Sequence, residues 1–269
     1  MKPEHQLAAC LMFKDSAGYL EEWICFHLEM GIDHFYLYDN ESSDHYRDVI
    51  EPFIRAGQIT LHTWPGVAQM LPVFEHCLET YRHRSHWMVF LDDDEFLFPA
   101  EEENLPAVLT RYHDYAGVTA CWLLFGSSGN QTRPSGLVTT NYRMRAARVN
   151  EHGKCIVQPA KVTKPWALGH AFHRMPGETI VDEKFEPIYG LFPDNPSANV
   201  LCVNHYISKS VEEMRAKRLR LPACADKFIY TLDDYLASDA GYNEIEDLRI
   251  QRFQDRLRRR MNSVVPVST

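Results

Sequence analysis

The stretch Trp87-Met88-Val89-Phe90-Leu91-Asp92-Asp93-Asp94-Glu95-Phe96-Leu97-Phe98-Pro99 constrains this chain more than any other. Five apolar residues run straight into four consecutive acids. A short unbroken apolar run that stops abruptly reads as a strand buried on both faces. Carboxylates crowded at the end of such a strand repel one another, and burial raises the cost further. A divalent cation removes that cost. Hard oxygen ligands at a strand end suit Mg²⁺ or Mn²⁺, which can also hold a substrate phosphate. The competing reading is a strand that ends in a solvated acidic turn.

The residues before it set the context. Leu7–Phe13 is a buried-strand run. Tyr19, Leu20, Trp23, Ile24, His27 and Leu28 follow at helical spacing, with Ser16 as the expected N-cap and Gly31 as the stop. His34–Tyr38 reads as a second strand, Tyr46–Ala56 as a helix, Gln58–Trp64 as a third strand and Val73–Arg82 as a helix. This β-α-β-α-β-α-β alternation predicts an α/β fold with a mainly parallel central sheet and helices on both faces. Ligands of such sheets bind beyond the carboxyl ends of the strands. The polar clusters at 14–16, 39–44 and 92–95 all lie at such ends, so one crevice is expected to collect them. The second half is less regular. Val118–Phe125, Cys155–Val157 and Val200–Val203 read as strands, 126–141 as a loop facing the crevice, and 177–197 as a flap. Val211–Arg220 and Tyr242–Met261 read as helices.

Lys and Arg number 28 against 37 Asp and Glu, a net charge of −9 that argues against a nucleic-acid binder. The seven cysteines form no C-x-x-C pair, which argues against structural zinc and suits a reducing compartment. No run is long enough for a signal sequence or a membrane span.

Strand alternation predicts that Asp92 and Asp94 share one side and grip one cation while Asp93 points away. Asp39, at the second strand end, is placed to accept from a ribose or base; the neighbouring Ser43 and Asp44 serve equally well as helix caps. His205, in Asn204-His205-Tyr206 after a strand, is either a Mn²⁺ ligand or a structural imidazole. Lys209, Lys217, Arg218 and Arg220 follow, as cations for a diphosphate or as a solvated helix face. His170 and His173 belong to the acceptor region or simply pack.

Taken together, Lys14-Asp15 with Tyr19-Leu20-Glu21-Glu22-Trp23 and His27, Tyr38-Asp39-Asn40-Glu41-Ser42-Ser43-Asp44, Trp87 through Phe96, Trp122 with Phe125–Gly129, and Asn204-His205-Tyr206 with Lys209-Ser210, Glu212-Glu213 and Lys217 form an ordered pattern. In it the chain resembles the bacterial glycosyltransferases of the family-92 and family-2-like group. The resemblance implies a GT-A-type nucleotide-diphospho-sugar transferase fold. It implies a single catalytic domain over 1–242, with a nucleotide-sugar half (1–116) and an acceptor half (117–242). The implied activity is transfer of a hexose from a nucleotide-sugar donor, UDP-linked, to a glycan or lipid-linked sugar acceptor, with inversion, in bacterial surface-glycan synthesis. The donor falls to Lys14, Asp15, Asp39, Asp92, Asp93 and Lys209. Mn²⁺ or Mg²⁺ falls to Asp92, Asp94 and His205. The general base falls in the window holding Glu178, Asp182 and Glu183, where Asp182 is chosen. The rival readings are a metal-dependent phosphohydrolase or nucleotidyltransferase, and a non-catalytic nucleotide- or sugar-binding domain.

From Glu244 to Met261, Ile245, Leu248, Phe253, Leu257 and Met261 fall near one face and arginines crowd the rest. Residues 243–269 are therefore expected to form a basic amphipathic helix and tail. Such a helix lies on an anionic membrane, docks on its own domain, or meets a second copy in a homo-oligomer. The expected location is cytoplasmic, with peripheral contact to the inner face of the membrane.

Overall fold

The computed structural model of the protein describes residues 3–219 and 232–264. The strands are β1 (His5–Phe13), β2 (His34–Asp39), β3 (Ile59–Thr63), β4 (Ser85–Phe90), β5 (Glu95–Pro99), β6 (Gly117–Leu124), β7 (Met144–Arg145), β8 (Gly153–Val157), β9 (Val162–Trp166), β10 (Ala171–Arg174), β11 (Ile180–Val181), β12 (Leu201–His205) and β13 (Ile245–Glu246). The helices are α1 (Ala17–Glu29), α2 (Tyr46–Arg55), α3 (Met70–Tyr81), α4 (Leu105–Leu109), α5 (Val138–Asn141), α6 (Val211–Leu219), α7 (Leu232–Gly241) and α8 (Gln254–Ser263). Arg220, Cys224, the side chain of Arg218 and residues 265–269 lie outside the described residues.

The main sheet runs β3-β2-β1-β4-β8-β6-β12-β5, with β11 also on β6. β3, β2, β1 and β4 are mutually parallel, as the alternation predicts. β8 is inserted antiparallel between β4 and β6. β12 runs parallel to β6, and β5 closes the edge antiparallel to β12. The expected α/β arrangement with a mainly parallel central sheet therefore stands. β1 shows why its Leu7–Phe13 stretch is apolar throughout. Leu7, Ala9, Leu11 and Phe13 enter a core with α1, α2, α4 and α8. Ala8, Cys10 and Met12 enter a second core with α3 on the other face. Both faces being covered, the strand reads as a continuous hydrophobic run.

Several expectations change. Phe96-Leu97-Phe98 lies within β5, a strand the sequence reading does not anticipate. Ser16 makes no cap bond at the start of α1; Asp44, from the loop after β2, accepts from the Ala17 N–H at 2.7 Å. The 126–141 segment is tied to the end of α7, where Asp239 accepts from the Ser127 N–H and hydroxyl at 2.8 and 2.6 Å. The 177–197 segment is anchored rather than a free flap. Glu183 accepts the backbone N–H groups of Asn199, Val200 and Leu201, and Tyr112 donates to the Glu183 carbonyl.

The C-terminal segment is not one helix. Ile245 and Glu246 pair with Arg145 and Met144, a 3₁₀ turn follows over Arg249–Phe253, and only then does α8 begin. Ile250, Phe253 and Leu257 are buried, and the Phe253 ring lies 6.1 Å from Phe26 and 6.0 Å from Phe98. Arg256 and Arg260 both bond Glu29 at the end of α1. Of the apolar side expected to meet a membrane, Phe253 and Leu257 are covered by the protein's own core, while Ile245 and Leu248 remain exposed. No helix among the described residues is long and apolar enough to cross a membrane.

Phe253→Ala should remove this anchor and lower stability by about 3–5 kcal/mol, the usual cost of a large-to-small aromatic substitution in a core. Urea unfolding checks it; a change below about 1 kcal/mol would mean the segment is not part of the core.

Candidate functional site

The acidic run is the turn by which the chain leaves the middle of the sheet for its edge. The Glu95 N–H donates to the Asp92 carbonyl at 3.1 Å, and the Trp23 indole N–H reaches both the Asp92 and Glu95 carbonyls, at 3.1 and 2.9 Å. Because β5 pairs with β12 in a register that sets Glu95 opposite His205, Asp94 arrives beside the imidazole. His205 Nε2 lies 3.5 Å from Asp94 Oδ1, and Lys217 Nζ on α6 donates to Asp94 Oδ2 at 2.6 Å.

A second cation lies below the turn. Lys154 is 1% exposed on β8, with Nζ 3.0 Å from Asp92 and 3.3 Å from Glu95. Burial opposes its charge, but those two carboxylates raise the ammonium above the ordinary lysine value. Burial pushes the Glu95 carboxyl up to about 7, despite Lys154. Burial also works to raise Asp94, but Lys217 and His205 overcome it and hold that carboxyl well below the usual range. Two adjacent acids are thus driven apart by their surroundings, a pattern concentrated at functional sites.

Strand alternation fails here, because a turn does not keep a two-residue period. Asp93 and Asp94 line one small cavity of about 50 Å³ with Tyr19, Lys209, Glu213 and Lys217, while Asp92 turns to Lys154. The expected convergence of strand ends does occur. Ser16 donates to Asp93, the Asp15 N–H donates to the Ser42 hydroxyl at 2.9 Å, and the Ser43 N–H donates to Asp15 at 2.7 Å. Asp39 is 5% exposed, with its oxygens accepting from the Ser42 N–H at 2.9 Å and the Tyr46 hydroxyl at 2.8 Å. In this arrangement it shapes the turn. Lys14 is half-buried.

Lys209 closes the cavity from the other side. It adopts φ +53°, a left-handed conformation that costs a non-glycine residue of order 1 kcal/mol or more. Its ammonium lies 3.6 Å from the centroid of the Tyr19 ring, and burial lowers its proton affinity. Glu213 fixes this corner, accepting from the hydroxyls of Tyr19, Tyr142 and Ser210, each at 2.5 Å. Burial works to raise the Glu213 carboxyl, but those hydroxyls keep it below its ordinary value. Lys154 is the functional residue the sequence reading misses. Its signal was available: one charge inside the otherwise apolar strand Gly153–Val157.

Asp182 does not belong to this cleft. It follows Val181, which pairs with Val118 near the start of β6, whereas His205 pairs with Leu124 at its end. At about 3.3 Å per residue, that is roughly 20 Å along the strand. Asp182 Oδ1 instead accepts the N–H groups of Lys184 and Glu186, a turn role. Glu178 lies 3.8 Å from Lys161, and Glu183 is the backbone anchor described above. The assignment of the base to this window is therefore corrected.

Among the described residues no three His, Cys, Asp or Glu side chains are gathered as a metal-ligand group. The expected trio of Asp92, Asp94 and His205 is reduced to a pair, because Lys154 holds Asp92. That pair, a carboxylate and an imidazole whose second nitrogen is buried without a partner, has the donor chemistry Mn²⁺ accepts. Lys217, half exposed, now puts its positive charge against the same carboxylate.

The strand ends of this mainly parallel sheet thus carry paired acids, an imidazole and lysines. The model of glycosyltransferase family 92 matches residues 5–238, and the chain belongs to that family. A family 92 protein of Oryza sativa subsp. japonica is 30% identical over 208 residues, covering 75% of this chain and 33% of that protein. Galactan beta-1,4-galactosyltransferase GALS1 of Arabidopsis thaliana is 30% identical over 107 residues, covering 36% of this chain and 22% of that protein. S. aureus TarS 1–349 in complex with UDP-GlcNAc superposes with a TM-score of 0.41 at 11% identity, covering 96% of this chain and 73% of that one. The chain spans about a third of the length of the curated family 92 relatives it matches. These relatives are plant proteins, so they give no support to the bacterial origin expected above.

The raised Glu95 carboxyl carries a pH signature. Its folded-state value of about 7 exceeds the ordinary 4.5, so the native state binds the extra proton between those values. Its contribution is fully present below about pH 4.5 and is lost as pH rises through about 7, to the extent of roughly 3 kcal/mol. Glu95→Gln should flatten the pH dependence of unfolding free energy across that window. An unchanged slope would show that Glu95 titrates normally.

Proposed function

We propose that the protein is a metal-dependent glycosyltransferase that moves a hexosyl group from a UDP-sugar to a hydroxyl of a glycan acceptor. The observation that carries this reading is Asp94, buried among His205, Lys209 and Lys217 at the carboxyl end of the sheet. Family membership supports the reaction class. The matched relative named a galactan beta-1,4-galactosyltransferase supports a hexose and a glycan acceptor.

In this reading Asp94 and His205 hold Mn²⁺ or Mg²⁺. When bound, the ion offsets charge developing on the diphosphate as the glycosidic bond breaks. Lys217 leaves Asp94 as the donor enters, and its half-exposed side chain is free to follow the phosphate. Lys209 is already fixed over Tyr19, so it meets the diphosphate without rearrangement. Lys154 holds Asp92 in place. Asp93, with Lys14, Asp15 and Asp39 at the neighbouring strand ends, shapes the nucleoside end of the cleft.

Asp94→Ala should lower kcat/KM at least about 100-fold, a loss of about 2.7 kcal/mol of transition-state stabilisation, while the protein stays folded. EDTA should abolish sugar transfer, and Mn²⁺ should restore it better than Ca²⁺. Full turnover from UDP-sugars in EDTA would overturn the metal mechanism. Lys217→Met should weaken binding of the UDP-sugar, measured by calorimetry, without unfolding the chain; wild-type affinity would remove Lys217 from the donor site.

A further inference from the structure

The acidic turn serves the leaving diphosphate, and Asp182 and Glu183 are taken up by backbone N–H groups. The acceptor hydroxyl therefore needs a base from another element. We propose that His152 is that base, a catalytic residue whose Nε2 takes the proton of the acceptor hydroxyl. The proposal rests on the transferase reading above. In the step, the O–H bond of the acceptor breaks and its proton goes to Nε2. The oxygen uses an electron pair to form the new bond to the anomeric carbon. The bond from that carbon to the diphosphate breaks, and its pair leaves with UDP. His152 is half-buried, so the proton passes from the ring to solvent afterwards.

His152 stands at the same end of the sheet as the acidic turn. It immediately precedes β8, and the Trp122 N–H donates to its carbonyl at 2.8 Å, so the pairing of β8 with β6 continues toward the carboxyl end of β6. His152 and Lys154 are two residues apart and share one face of the strand. On that face Lys154 reaches Asp92. Trp122 presents its ring there too. It lies 5.5 Å from the His152 imidazole, nearly parallel at 14°, and 4.4 Å from His205. One indole thus separates the proposed base from the proposed metal-binding pair, a gap that a pyranose ring can span. Phe192 packs edge-on against His152 at 4.4 Å and holds the ring in place.

The hydrogen bonds fix which ring nitrogen carries the proton. The His152 backbone N–H donates to Asn150 Oδ1 at 2.9 Å, so that atom is the amide oxygen and accepts. His152 Nδ1 lies 3.0 Å from the same oxygen and is therefore the N–H of the ring. A neutral ring then leaves the Nε2 lone pair bare, which is the state a general base needs. Among the described residues no hydrogen-bond donor meets Nε2. The ionisable groups around the ring are Glu151 in the same turn, His170 at 5.8 Å, His205 on β12, and Lys154, whose ammonium is 6.0 Å from the Trp122 ring. Burial lowers the proton affinity of His152 against the pull of Glu151, and His205 adds to the lowering. The ring is thus neutral at pH 7.

The test follows UDP release from UDP-galactose, UDP-glucose and UDP-N-acetylglucosamine with Mn²⁺, with β-1,4-galactotetraose or water as acceptor. His152→Gln should lower kcat at least about 100-fold, while the KM for the UDP-sugar and the thermal melting stay at the wild-type level. Wild-type kcat/KM should fall as pH drops below about 6.5, where the ring takes up a proton, and His152→Gln should lose that limb. Free imidazole should restore part of the rate of His152→Ala. In metal-free protein at pH 7, nitrogen–proton correlation NMR should show the His152 ring protonated at Nδ1 and bare at Nε2, its signals assigned by their loss in His152→Gln. The base assignment is overturned by a wild-type kcat in His152→Gln, by an acid limb that survives the substitution, or by a proton on Nε2. Absence of UDP release by wild type from every one of these donors would instead bring down the transferase reading itself.

Discussion

The buried ammonium of Lys154 is the constraint on which the site depends. Four acids at the end of a buried strand need compensating charge, and β8 delivers one from inside the sheet. Its antiparallel insertion between β4 and β6 sets Lys154 directly under the turn. Removing one member of a buried ion pair costs about 3–5 kcal/mol, because the partner charge is left unpaired. With Lys154 in place, the chain can cross from β4 to β5. That crossing puts Glu95 opposite His205 and Asp94 beside the imidazole.

The remaining acids are balanced from the opposite side by groups of a different kind. Lys209 is strained and packed over Tyr19, whereas Lys217 is half exposed on α6. One is fixed, and the other is able to exchange a carboxylate for a phosphate. Glu213 couples them: its carboxylate ties the start of α6 to α1 through Tyr19 and to the α5 region through Tyr142. The donor cleft is therefore held between the regular first half of the chain and the less regular second half. The C-terminal segment braces the same frame from behind, through Phe253 against Phe26 and Phe98 and through two arginines on Glu29.

The first half was legible because its strands are buried on both faces. β1 alternates Leu7, Ala9 and Leu11 into one core with Ala8 and Cys10 into the other, and no polar residue interrupts the pattern. The gathering of strand ends at Asp15, Ser42 and Asp93 followed from the same parallel topology. The second half was harder to read. β5 is five residues long and pairs with β12, more than a hundred positions away, so no local period announces it. Asp182 looked like a base from its place in the chain, yet its neighbours in space are the backbone N–H groups of its own turn. The arginine-rich tail reads as one amphipathic helix, but only Gln254–Ser263 is α-helical, and what covers Phe253 and Leu257 depends on where α1 lies.

The sequence by itself determined the parallel α/β half, the acids at its fourth strand end and the histidine that follows a later strand. These are properties of local pattern, since periodicity and abrupt changes of polarity act over a few residues. Only the tertiary structure decided which charge answers which. Asp92 belongs to Lys154 and Asp94 to His205 and Lys217 because β8 and β12 are neighbours of that turn in space, not in sequence. A hydrogen-bonded ion pair needs its atoms within about 3–4 Å, so the pairing is settled by the packing of distant segments rather than by their order along the chain.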